Sequence, residues 1–174
     1  MLRGVQRADA PEARVASTPV KIGVELRLSA DPGELFADAR AFEAAGADSF
    51  WPTGDEDRLV LLAAIAAVTW RARLIAVGSI DPQAAGALDR LSRGRLVVAS
   101  RDGDEFVLPG AEGERERWKS LPFPESRVAW TELRTRHEAD GVSGLVLPND
   151  PRLLDLIRNP DVQEDRSDIK LAFG

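Results

Sequence analysis

Two carboxylates are placed where a general acid or base could act. Glu25 stands among Ile22, Val24 and Leu26 but on the opposite face of that alternating run. Inside a barrel such a carboxyl is desolvated, its pKa rises, and it becomes a catalytic candidate. On an outer surface it is a solvated charge. Asp55 lies in the run Gly54-Asp55-Glu56-Asp57, which offers a general base or a hard-cation site. The same charges also favour the start of a following helix through its dipole. Trp51 can serve as a platform for a planar ring or as a core aromatic. Gly78-Ser79 combines a backbone that a ligand can approach with a hydroxyl donor, or else simply ends a strand before the cap at Asp81. Arg101 can bind a phosphate through its planar guanidinium. Its neighbours Asp102, Asp104 and Glu105 compete for it and equally suit a salt-bridged loop.

Other chemistries are excluded by count. The chain has 174 residues, one His and no Cys. Disulfides, thiolate metal sites and histidine-rich metal sites are therefore ruled out, no metal is expected, and no nucleophile–His–acid set forms around His137. His137 falls on the Trp130 and Leu133 side of its segment, where it reads as packing. A net charge of −6 argues against nucleic acid as a partner. The most apolar run, 59–68, is about half the length of a membrane span, and residues 2–18 lack an apolar stretch of signal type. A cytoplasmic, reducing setting is the expectation.

These candidates need elements to hold them. Residues 1–19 mix charge, Ala and Pro without a period and read as a mobile leader. A strand is predicted over 20–26. Asp31-Pro32-Gly33-Glu34 then opens a helix whose stripe is Leu35, Ala39 and Phe42 and whose stop is Gly46. The unit recurs with strands at 48–51, 74–78 and 95–99, a helix over 57–69, and another opened by Asp81-Pro82 and stopped before Gly94. Strands that alternate with helices at this spacing imply right-handed crossovers and parallel pairing.

After Ser100 the rhythm breaks. Residues 101–105 read as a charged turn, 106–108 as a short strand, 110–125 as irregular, and 112–119 as a wet loop of alternating charge. A helix over 126–139, a strand over 144–147 and a last helix from Asp150-Pro151 follow. The α/β domain then spans 20–158. Residues 159–174 form a tail in which Ile169 to Phe173 can dock as a strand. A complete eightfold strand–helix barrel needs about 250 residues, so the fold class is α/β with parallel strand–helix repeats, an incomplete or reduced barrel.

Three phrases occur in order: Glu43-Ala44-Ala45-Gly46-Ala47-Asp48-Ser49-Phe50-Trp51, the run Leu61 to Leu74 ending Thr69-Trp70-Arg71-Ala72-Arg73-Leu74, and Leu88-Asp89-Arg90-Leu91-Ser92-Arg93-Gly94-Arg95. Together they resemble the luciferase-like monooxygenase family, shortened. Asp140 to Pro148 is similar to that family's last strand. The resemblance implies a flavin- or deazaflavin-dependent oxidoreductase. FMN or a deazaflavin would sit at the strand C-terminal ends, with Trp51, Gly78, Ser79 and Arg101 as cofactor contacts and Glu25 or Asp55 as catalytic groups.

It further implies that Gly78 lies close to the ring, so that Gly78→Leu crowds the site. The departures from the family pattern are specific. Gly54-Asp55 replaces the family's Asp-His pair, and the long middle section is absent. The alternative is a non-catalytic subunit on the same scaffold. An open sheet would leave edges to cover, which implies a homodimer or a larger protein partner.

Overall fold

The computed structural model describes residues 19–27, 31–53, 58–110 and 113–160. Alternation of apolar and polar residues produces strand β1 (Lys21–Leu26). Asp31 then caps helix α1 (Pro32–Ala45), its carboxylate accepting from the Gly33 amide, and Pro32 fits the first turn. Gly46 ends α1 at φ 109°, a left-handed conformation that suits glycine. Strand β2 (Ser49–Pro52), helix α2 (Arg58–Val68), strand β3 (Arg73–Val77), helix α3 (Pro82–Leu91) and strand β4 (Leu96–Asp102) repeat the unit. Asp81 caps α3 through the Ala84 amide. These elements match the sequence reading to within a few residues.

At Gly103 the chain turns back instead of entering a helix. β4 and strand β5 (Glu105–Pro109) form an antiparallel hairpin through Gly103-Asp104, with Asp102 opposite Glu105. Glycine at the first position of a two-residue loop supplies the backbone such a hairpin needs. β5 pairs antiparallel with strand β6 (Arg115–Ser120), and helix α4 (Arg127–Ala139), strand β7 (Gly144–Pro148) and helix α5 (Leu153–Arg158) follow. β7 pairs with β1, and the seven strands close into a barrel.

Two expectations are corrected here. Part of the stretch read as irregular is β6. Its period of two places Arg115, Arg117 and Lys119 on one face and Glu116, Trp118 and Ser120 on the other. The charges mask that period, and Trp118 alone marks the inner face. The sheet is also not open, so no free edge among these strands calls for a partner. The docking strand expected at 169–173 lies outside the described residues.

Closure makes two cores. Outward-facing Val24, Phe50, Leu74 and Leu145 pack under the helices with Phe42, Leu62, Ile65 and Trp130. Inside, Trp51, Ile75, Ala99, Phe106, Leu108, Trp118 and Val146 fill the lumen. The Trp51 ring centroid lies 5.1 Å from Phe106 and 5.5 Å from Trp118. Both indoles lie over glycines. A Cβ at Gly23 would collide with Trp51 Nε1, and one at Gly144 would lie 2.5 Å from the Trp118 ring. Both indole N–H groups are satisfied, Trp51 donating to Ser49 Oγ at 2.9 Å and Trp118 to Glu116 Oε2 at 3.0 Å.

Below the rings, Glu116 bridges Lys21 at 2.7 Å and Arg73 at 3.0 Å, and Arg73 also binds Asp48 at 2.7 Å. The Arg73 guanidinium lies 5.3 Å from the Trp118 ring centroid. A Gly144→Ala change pushes a methyl group into that ring. The expected result is a loss of about 1 to 3 kcal/mol and a lower melting temperature. An unchanged melting temperature would show that Trp118 is not packed on Gly144.

Candidate functional site

The three family-like phrases meet at the N-terminal end of the barrel, where they form a polar lock. The buried Glu43 carboxylate accepts the amides of Trp70, Arg71 and Ala72 at 2.7 to 2.9 Å. Burial opposes its ionisation, but these three amides and nearby Arg95 hold its pKa below the ordinary value. Arg95 is buried too. It donates to the carbonyls of Ala66, Thr69, Ala72 and Ser92 and to Thr69 Oγ1, which ties the end of α2 to the start of β4. These residues position strands, at the end away from the strand C-termini.

At the C-terminal end the predicted residues separate. Glu25 is partly buried, and its Oε1 accepts from Ser120 Oγ at 2.8 Å. With Arg27, Pro148 and Asn149 it lines a cavity of about 340 Å³. Trp51 is 3% exposed and packs in the lumen, the core alternative of its two readings. Asp55 lies outside the described residues.

Gly78, Ser79 and Arg101 come together in a groove of about 860 Å³. The groove continues along the outer face of β4 and β5 past Val98, Val107 and Pro109 to Glu114 and Arg115. It exists because a hairpin follows β4 where a covering helix would otherwise run, which leaves Val98 43% exposed.

Arg58 shapes one end of the groove, donating to the Val77 and Ser79 carbonyls at 2.8 and 2.7 Å. Sequence reasoning missed this strap, since a lone arginine at a helix start carries no pattern. Gly78 has φ 82°, and a Cβ there meets nothing within 4 Å. The crowding expected of Gly78→Leu concerns a bound ring, since the protein itself leaves the position open. A side chain at 78 acts through backbone strain. Arg101 is exposed, with its guanidinium 5.1 Å from the Phe106 ring centroid.

Acid–base machinery is sparse. His137 Nδ1 is buried without a hydrogen-bond partner. Burial, helped by Lys119, lowers its pKa below the ordinary value. Among the described residues no group of three or more His, Asp or Glu is placed to hold a metal ion. No helix among them is long and apolar enough to cross a membrane. The groove can bind a ligand through apolar strand residues and the cation Arg115, while the Arg101 guanidinium leans over Phe106 on the lumen side of the rim.

No protein-family model and no curated protein matches the chain. Among solved structures it is similar to the coenzyme F420-dependent tetrahydromethanopterin reductase of Methanopyrus kandleri, with 19% identity and a TM-score of 0.42. The match covers 50% of this chain and 28% of that one.

The lumen charges give a pH prediction. Burial raises the Glu116 pKa, but Lys21, Trp118 and Arg73 together outweigh it and bring it to about 2. A depressed carboxylate stabilises the fold above its ordinary value near 4.5 and loses that contribution as pH falls toward 2. Melting temperature should therefore fall over that window, with Glu116 contributing up to about 3 kcal/mol. Glu116→Gln should melt lower at neutral pH and show a shallower acid slope. Equal slopes in the two proteins would mean that Glu116 is not bridged in the lumen.

Proposed function

We propose that this chain is a reduced luciferase-like barrel that binds FMN or a deazaflavin in the β3–β4–β5 groove. The convergence of the end of β3, at Gly78 and Ser79, with the end of β4, at Arg101, on one groove of about 860 Å³ carries this reading. The volume lies within the range of small-molecule sites. Val98 and Val107 offer an apolar floor for a planar ring, Ser79 a hydroxyl donor, and Arg115 a partner for phosphate. These residues fit such a group in size and in donor chemistry.

The bound cofactor would supply hydride transfer or oxygen activation, and the protein would supply position and shelter. Glu25 and Ser120 stand at the strand C-termini on the β1 and β6 side, where they could hold a proton for a substrate. Monooxygenase chemistry is the finer form of this reading.

A second reading is a non-catalytic partner-binding subunit, as a homodimer or with a larger protein. The 43% exposure of Val98 on a strand face without a helix favours it. Titration of the purified protein with FMN and with a deazaflavin, followed by cofactor fluorescence and melting temperature, separates the two. The cofactor reading predicts saturable quenching and a raised melting temperature, both weakened at least tenfold in affinity by Arg115→Ala, about 1.4 kcal/mol. Colourless protein with neither response, together with a dimer by light scattering, would establish the subunit reading instead.

A further inference from the structure

The N-terminal end of the barrel carries an exposed aromatic patch that neither reading uses. Trp70, in the α2–β3 connection, is 63% exposed, and Leu91, the last residue of α3, is 67% exposed. The other three tryptophans are buried. Trp70 is held rigidly, because Glu43 binds its amide and Arg95 binds the carbonyls on either side, at Thr69 and Ala72. The Arg93 guanidinium lies 3.9 Å from the Trp70 ring centroid. Among the described residues Arg93 is the one non-glycine with positive φ, at 62°. Glycine would take that conformation without strain. The chain instead keeps a cation over an exposed indole.

The patch is basic in an acidic protein. Arg71, Arg90 and Arg93 are all exposed at this end, while the net charge is −6. Arginine and tryptophan on a preorganised backbone are the residues that dominate protein interfaces. Two such patches facing each other across a twofold axis would oppose arginine to arginine, so the chemistry calls for an acidic occupant.

One lies in the same chain. Residues 161–174 carry Asp161, Glu164, Asp165 and Asp168 against Arg166 and Lys170, an excess of two negative charges, together with Ile169, Leu171 and Phe173. The chain leaves the described fold close to the patch. Ile157 of α5 lies 3.7 Å from the Cβ position of Gly46, which ends α1 one turn after Glu43, and Glu43 binds Trp70. Eight extended residues reach about 26 Å, and α5 packs on α1, α1 on α2 and α2 on α3.

We propose that the Trp70–Arg93 patch is the docking site for segment 161–174 of this chain. Its acidic residues meet Arg71, Arg90 and Arg93, and Ile169, Leu171 and Phe173 cover Trp70 and Leu91. The inference does not depend on the cofactor reading.

Acrylamide quenching of tryptophan emission in the full chain tests it, because Trp70 is the accessible indole. Docking of most molecules should lower Trp70 quenching about twofold relative to an Ile169→Ala/Leu171→Ala/Phe173→Ala variant. A Glu164→Gln/Asp165→Asn/Asp168→Asn variant should be quenched like the apolar one, and added salt should raise quenching of the parent toward both. Trp70→Phe should abolish these differences, and dilution should not change the parent. Equal quenching of the parent and both variants overturns the proposal. Protection lost on dilution also overturns it and assigns the patch to another copy of the chain.

Discussion

A closed sheet of seven strands must fill its own lumen, and the rest of this structure depends on how that is done. Two indoles occupy the space, each made possible by a strand residue without a side chain, Gly23 for Trp51 and Gly144 for Trp118. Gly144 stands directly opposite Trp118 in the β6–β7 register. The indole N–H groups cannot be left unpaired in such a place. Ser49 and Glu116 accept them, and Glu116 in turn ties Lys21 and Arg73 across the floor of the barrel. Packing, hydrogen bonding and charge pairing are therefore one arrangement. A filled lumen also means that ligand binding belongs at the strand ends or on the outer face.

The three phrases around Glu43, Thr69–Leu74 and Arg95 have a physical role in the same scaffold. Glu43 and Arg95 join α1, the α2–β3 connection and the α3–β4 turn through buried, charge-assisted bonds. In this chain the phrases join consecutive strand–helix units and take no part in catalysis at the strand C-termini. Function therefore has to be argued from the groove and the mouth.

The first four strands and three helices were legible because hydrophobic period, caps and glycine stops agreed. Asp31, Gly46 and Asp81 act as their sequence context predicts. The second half was harder. β6 carries one large apolar residue in six, so Trp118 had to be recognised as the inward anchor of a strand with a charged outer face. Closure was not legible at all, because it depends on the β1–β7 pairing of distant segments. Of the candidate site, Gly78, Ser79 and Arg101 were found by their place at strand ends. Arg115 joins them only through tertiary placement, as Arg58 comes to hold the Ser79 carbonyl, and Trp51, equally well placed in sequence, turns inward because its strand neighbour Ser49 and the gap at Gly23 draw it there.

Amide hydrogen exchange with and without saturating FMN or deazaflavin tests the central claim, that ligands bind outside a sealed lumen in the groove of β3, β4 and β5. The account predicts slowed exchange at Ser79, at Ser100 to Asp102 and around Val107, with the amides of β1 and β7 unchanged. Protection centred on Glu25, Arg27 and Asn149, or no protection anywhere, would contradict it.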